Sequence, residues 1–331
     1  MITKLNVSNF KSVRHLDIDC KKVNLFIGEP NTGKSNILEA LALLSWFGDP
    51  TGGPLNLYVR YQSMQDLFYD QLLDEDMTIL ASGESNVGVR LHFEFERKRY
   101  VFTQKPRSQP GPTNFLQLKI DHPDDFSSAP LSAASVIKFY RFADVGRCDG
   151  QDLGGLKPPN GGNLFSVVFS SRPLRETMED FFQKYGLKLL LRQNERVFEL
   201  AKPAGGSLIV YPYALASDTL RRIIFYTVAI ASNKDSVLVF EEPESNAFPY
   251  YTKYLGERIA LDETNQFFIA THNPYLLSAV VEKGRKEDVQ VFVTYFENYE
   301  TKVRPLTSDQ LAELMEADPF LDLDRFIEEG R

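Results

Sequence analysis

Apolar and polar positions alternate from the start of the chain. Leu5, Val7 and Phe10 fall near a period of two, and Leu16-Asp17-Ile18-Asp19 repeats the pattern, so residues 1–27 read as β-structure. Val23-Asn24-Leu25-Phe26-Ile27 forms a short apolar strand that stops at Gly28. From Ser35 to about Phe47 the period changes. Ile37, Leu38, Leu41 and Leu44 then share one face of a helix, which Gly48-Asp49-Pro50-Thr51-Gly52-Gly53-Pro54 breaks. Residues 87–96 alternate most cleanly, and Tyr100-Val101-Phe102 starts a return strand after the polar turn Arg97-Lys98-Arg99. Residues 104–114 and 146–163 are rich in Gly, Pro and polar groups and read as loops. Between them and the C-terminal part, Leu174–Tyr185 predicts a helix, and Lys188–Arg192 with Val197–Leu200 a hairpin. From Ser217 the chain turns α/β: a helix to about Ala231, the apolar strand Val237–Phe240, a helix from Phe248 to about Leu261, then strands at Phe267–Ala270 and Val289–Val293. The continuous apolar runs are of the kind buried on both faces of a parallel sheet. No internal repeat is present.

Three segments sit where these elements end. Gly28-Glu29-Pro30-Asn31-Thr32-Gly33-Lys34-Ser35 matches G-x-x-x-x-G-K-[ST] between a strand and a helix. Such a loop turns several backbone N–H groups onto one oxyanion, with the helix N-terminus behind them. Lys34 then reaches the β- and γ-phosphates, and Ser35 ligates Mg²⁺. The plainer alternative is a glycine turn capped by Ser35. Next, Val237–Phe240 delivers Glu241-Glu242-Pro243-Glu244 at its C-terminal end, where ligands bind in open α/β sheets. One acid can hold the metal shell, and the other can orient or deprotonate water. A solvated acidic loop is the plainer alternative. Last, Thr271-His272-Asn273-Pro274 places one of four histidines directly after a strand, able to bond a phosphate or the attacking water. Taken alone, that histidine reads better as a loop residue with a backbone partner.

Composition narrows the class. Of 331 residues, 43% are hydrophobic and 25% charged, ordinary for a globular chain. The lack of a long apolar run or a secretion signal, together with only Cys20 and Cys148, predicts a cytoplasmic protein with no membrane partner. The net charge is −8, against the basic excess of a dedicated non-specific DNA binder. Much of it lies in residues 313–331, with seven acids and two bases. Phe320, Leu321, Leu323, Phe326 and Ile327 interrupt those acids, so the tail reads equally as a solvated segment or an amphipathic docking helix.

These motifs resemble the ABC-type ATPase heads of the RecF/SMC/OLD-like group. Asn9-Phe10-Lys11-Ser12 is similar to that group's N-terminal segment, and Gly33-Lys34-Ser35-Asn36 with the following helix to its phosphate loop. Glu241-Glu242-Pro243-Glu244 with Pro249, and Thr271-His272-Asn273-Pro274, are similar to its Walker B and switch-histidine segments, and Gly162-Asn163-Leu164 to a further loop. The resemblance covers about 1–48 and 206–280 well and the intervening lobe loosely. It implies an α/β P-loop NTPase: an ABC-type head with an N-terminal antiparallel β subdomain and an inserted α+β lobe. The parts would be 1–48 (phosphate loop), 49–205 (inserted lobe, with 87–103 joining the head's antiparallel sheet), 206–310 (signature, Walker B and switch histidine) and 311–331 (acidic tail).

The resemblance also implies ATP and Mg²⁺, with two heads sandwiching two nucleotides. The nucleotide would meet residues 28–36 together with Lys11 and Ser12. Ser35 and Glu241 would hold the metal, and Glu242, His272 and Lys34 would be catalytic. By its position, Leu215-Ala216-Ser217-Asp218-Thr219 would be the signature, Ser217 reaching the other subunit's γ-phosphate; a plain helix N-cap is its alternative role. Glu241 replaces the usual Asp, the signature lacks paired glycines, and Phe248 stands where a histidine is frequent. Gln62 and Gln65 are both candidates for the Q-loop. No heptads mark a coiled-coil arm, and the 57 residues after Pro274 are too few for an appended nuclease domain. The expected function is an ATP-hydrolysing switch, dimeric or of higher order, acting on DNA or on a separately encoded nuclease or toxin in repair or phage defence. The alternatives are a nucleotide-holding scaffold with little hydrolysis and a small-molecule kinase.

Overall fold

The computed structural model describes residues 1–48, 53–84, 86–105, 116–120, 136–143, 150, 153–316, 320 and 323–328. Cys148, most of the 104–114 loop and part of the acidic tail lie outside them. The N-terminal alternation builds β1 (Ile2–Phe10) and β2 (Val13–Asp19), and the apolar run before Gly28 builds β3 (Val23–Ile27). Helix α1 (Lys34–Phe47) follows, then β4 (Met77–Gly83), β5 (Val87–Glu94), β6 (Arg99–Lys105), β7 (Leu116–Ile120) and β8 (Ile137–Tyr140). β1, β2 and β4–β7 form a six-stranded antiparallel sheet in the order β2-β1-β4-β5-β6-β7. The strand expected over 87–96 ends at Glu94, and Phe95 is exposed in the turn beyond it.

Further along lie α2 (Leu164–Ser170), α3 (Arg172–Gln183), β9 (Lys188–Arg192), β10 (Val197–Ala204) and β11 (Ser207–Pro212). The last three pair into a small antiparallel sheet. Next come α4 (Asp218–Ser232), β12 (Val237–Glu241), α5 (Pro249–Ala260), β13 (Gln266–Ala270) and α6 (Pro274–Lys283). The chain closes with β14 (Val289–Glu297), β15 (Glu300–Pro305), α7 (Ser308–Glu316) and α8 (Leu323–Glu328). The second large sheet has the order β15-β14-β3-β13-β12-β8, with β15 antiparallel and the other strands parallel.

This parallel sheet divides two cores. Phe26, Val239 and Phe268 face α1 and the antiparallel sheet. Leu25, Phe240 and Ile269 face α4, α5, α6 and the small sheet. Burial on both sides explains why β3 and β13 carry no exposed position and why their sequences run apolar rather than alternating. α1 lies between the two large sheets, which is why twelve of its residues are buried. The described part of the tail folds onto its own chain: Leu323 and Phe326 of α8 are buried in the second core, and the Arg304 guanidinium donates to the Phe326 carbonyl at 2.6 Å. The tail, read from sequence equally as solvated or as a docking helix, thus gives Leu323 and Phe326 to this chain's own interior.

Candidate nucleotide-binding and catalytic site

Strand register assembles the site. Val293 pairs with Ile27, Phe26 with Ala270, Ala270 with Glu241 and Phe240 with Tyr140. The residues just past those pairs therefore emerge along one edge of the sheet: Thr294, Gly28, Thr271, Glu242 and Arg141. That edge is the C-terminal one, where parallel α/β sheets bind ligands.

Between β3 and α1 the loop Gly28–Gly33 turns back on itself. Gly28 (φ +150°), Asn31 (φ +62°) and Gly33 (φ +95°) take left-handed backbone angles. A Cβ on Gly28 would meet the Thr294 carbonyl oxygen at 2.1 Å, and one on Gly33 the Thr301 hydroxyl at 1.9 Å. Glycine is thus required at both positions by φ and by space. The Lys34 ammonium folds over the loop and donates to the Gly28 and Glu29 carbonyls at 2.8 and 2.6 Å. Burial pulls Lys34 down to about 8, against the attraction of Glu242 and Glu29. The first turn of α1 has neither a capping side chain nor an acid, so its N-terminal donors are left for an anion.

Beside the loop, Ser35 hydrogen-bonds Glu241, so the two expected metal ligands meet. Burial pushes the Glu241 carboxyl up, but the Ser35 hydroxyl, Arg141 and Arg60 outweigh it and hold it below the usual range. Arg60 and Arg141 approach its two oxygens at 2.9 and 2.8 Å. Both arginines also reach Glu39 of α1, at 2.6 and 3.6 Å, and the Glu39 side chain is 0% exposed. Lys11 pairs with the same carboxylate and donates to the Arg60 carbonyl at 2.5 Å.

On the neighbouring strand ends, Glu242 takes a left-handed angle (φ +43°). Its Oε1 lies 3.4 Å from His272 Nε2, and its Oε2 accepts from the Ser245 hydroxyl at 3.1 Å. Burial lowers the His272 pKa and the Lys34 charge lowers it further, partly offset by Glu242.

The structure thus brings Lys34, Ser35, Glu241, Glu242 and His272 together. The other expected residues have partners of their own. Lys11 is held by Glu39. Ser12 hydrogen-bonds the Thr301 hydroxyl at 2.6 Å and accepts from the Asn36 amide at 2.6 Å, so both buttress the loop from β15. Glu29, Pro30, Asn31 and Thr32 line a cleft of about 500 Å³ that opens toward β14 and α8. Ser217 is exposed and caps α4, accepting from the Leu220 N–H at 3.3 Å. Gln65 bonds Tyr100 of the antiparallel sheet, and Gln62 engages Asp66 through its backbone. Asn163 is buried and ties Gly155 to Lys157. Sequence reasoning missed Glu39, Arg60 and Arg141. One signal was available: Arg141 directly follows Ile137–Tyr140, apolar but for Lys138, as Glu241 follows Val237–Phe240.

A glycine-cradled loop with a folded-in lysine, facing a carboxylate pair and a histidine across parallel strand ends, is the arrangement of the P-loop NTPase fold. The fold is that of an ABC-type, SMC-like ATPase head, and residues 1–135 match the family model for the AAA ATPase domain (AAA_15). Among solved structures, an SMC head bound to the C-winged-helix domain of ScpA is similar at 16% identity and TM-score 0.58, covering 93% of this chain and 98% of that one. A Pyrococcus furiosus SMC head with an extended coiled coil, bound to the C-terminal domain of ScpA, gives 13% identity and TM-score 0.56, covering 95% and 98%. No curated protein matches the chain. No helix among the described residues is long and apolar enough to cross a membrane.

Proposed function

We propose that the chain is a molecular switch that binds ATP with Mg²⁺, hydrolyses it, and pairs head to head with a second copy in the bound state. The observation that carries this reading is the Glu242–His272 pair, 3.4 Å apart beside the lysine-closed loop. Lys34 would exchange two loop carbonyls for phosphate oxygens, trading neutral acceptors for charged ones. Ser35 and Glu241 offer two oxygen donors, a set suited to a cation that keeps several waters. Mg²⁺ held there would neutralise phosphate charge. Glu242 would take the proton of the attacking water, and His272 would orient that water or the terminal phosphate. Ser217, exposed at the N-terminus of α4, would contact the phosphate of the opposite copy. The output would pass to DNA or to a separate effector chain, such as a nuclease or toxin in repair or phage defence. The ScpA domains named with the similar heads offer one analogy for a separate partner.

The test is Glu242→Gln. Phosphate release should fall by at least about 100-fold, while ATP with Mg²⁺ should double the mass measured by light scattering. A variant that releases phosphate like the wild type, or stays monomeric with ATP, would refute the respective half. A second reading, a nucleotide-holding scaffold with little turnover, draws on one observation: Arg60 and Arg141 already occupy both Glu241 oxygens, in competition with a metal. Wild-type phosphate release at saturating ATP separates the two.

A further inference from the structure

Glu244 is the one acid of the Glu241-Glu242-Pro243-Glu244 segment that the mechanism above leaves without a task. It is 4% exposed. The Thr271 hydroxyl donates to its Oε1, and its Oε2 has no hydrogen-bond partner among the described residues. A carboxylate this deep in an interior is costly and calls for a reason. Burial pushes the acid up to about 7, partly offset by the Thr271 hydroxyl and by the backbone N–H groups of Glu244 and His272.

Its surroundings supply the reason. Thr271 is fully buried, and its N–H donates to the Phe26 carbonyl of β3 at 3.1 Å. The same hydroxyl that reaches Glu244 accepts from the Asn273 N–H at 3.0 Å, so it fixes the turn that carries His272. Asn273 in turn caps α6, accepting from the Tyr275 N–H at 2.9 Å. On the other loop, Glu242 precedes Glu244 by two residues in a left-handed conformation that side chains adopt at a cost. The Glu244 carboxylate therefore joins the loop of Glu242 to the loop of His272, through the Thr271 hydroxyl and the His272 backbone N–H.

We propose that Glu244 is a positioning residue: through Thr271 it sets the separation of Glu242 and His272. The inference rests on the reading that this pair serves hydrolysis. An acceptor for the Thr271 hydroxyl is what the role needs, so the conservative change should be tolerated and the truncation should not. Glu244→Ala should lower kcat about 10- to 100-fold with ATP affinity within about twofold. Glu244→Gln should stay within about threefold of the wild type. Thr271→Val should reproduce the loss and Thr271→Ser should restore activity. The double variant Glu244→Ala/Thr271→Val should be no worse than either single one.

A second readout needs no turnover. The His272 ring resonance, assigned by its disappearance in His272→Gln, should move in the Ala and Val variants and not in Gln or Ser. An unchanged kcat in Glu244→Ala, or a Gln variant as damaged as Ala, overturns the role. Equal losses of ATP affinity and turnover do so as well. If Glu244→Ala does not fold, Thr271→Val and Thr271→Ser carry the test. A wild type that binds ATP without hydrolysing it refutes only the hydrolytic reading. The His272 resonance then decides the positioning role, and an unmoved signal overturns it.

Discussion

His272 stands between two opposite charges, the Lys34 ammonium and the Glu242 carboxylate. Burial and Lys34 prevail, so its pKa lies below the ordinary 6.5 and the ring is neutral at pH 7. The sign for stability follows. Just below pH 6.5 the unfolded chain binds a proton here that the folded chain does not, so this contribution is present above that window and lost as pH falls through it. The sign for catalysis is the same, because a protonated ring would pair with Glu242 and withdraw the base. The kcat profile should hold to pH 6.5 and drop only on the more acid side. His272→Gln should lower kcat by about 100-fold and remove that acid limb. An identical limb in the variant would assign it to another group.

α1 illustrates how an element wedged between two sheets handles a charge. Glu39 sits on its buried surface and is met by Lys11, Arg60 and Arg141. Removing one side of a fully buried ion cluster costs about 3–5 kcal/mol. Here Lys11 is 11% exposed, Arg141 27% and Arg60 58%, so water takes up part of the freed charge and the loss should be about 2 kcal/mol. Glu39→Ala should therefore lower the unfolding free energy from denaturant melts by that amount, seen as a lower midpoint at unchanged m, and Arg60 and Arg141 should then lean on Glu241 alone. A midpoint unmoved within error would mean that water already screens the cluster.

Glu39 also marks what the sequence could not disclose. β3, β12 and β13 were legible because burial on both faces writes continuous apolar runs, and the phosphate loop because its spacing is set by one local turn. β4, β7, β8, β11 and β15 went unread. β8 is only four residues long and interrupted by Lys138, β11 is exposed along its whole length, and β15 mixes charge with apolar positions. The arginines around Glu241 lie 181 and 100 residues away in sequence, and no local pattern encodes such a meeting. Lys11 and Ser12 were expected at the nucleotide. The fold places them beside that loop and commits them to Glu39 and Thr301.

At the scale of the whole molecule, the parallel sheet is the common wall of both cores. Phe26, Val239 and Phe268 belong to one side, and Leu25, Phe240 and Ile269 to the other. Its strands come from both ends of the chain, since β3 pairs with both β13 and β14. Neither core can be exposed without stripping a face of the strands that carry Gly28, Glu241 and Thr271. Unfolding should thus run as one transition across the described residues, and a nucleotide bound at the sheet edge should stabilise both cores together. A ligand present at a hundredfold excess over its Kd adds about 2.7 kcal/mol. In the Glu242→Gln background, where ATP is not consumed, calorimetry should show a single peak moved upward by ATP with Mg²⁺. Lys34→Ala should abolish the movement. Two peaks, of which ATP moves only one, would mean that the wall is shared in geometry and not in energy. The nucleotide would then be read by one core alone, and a switch transmitted through the sheet would lose its physical basis.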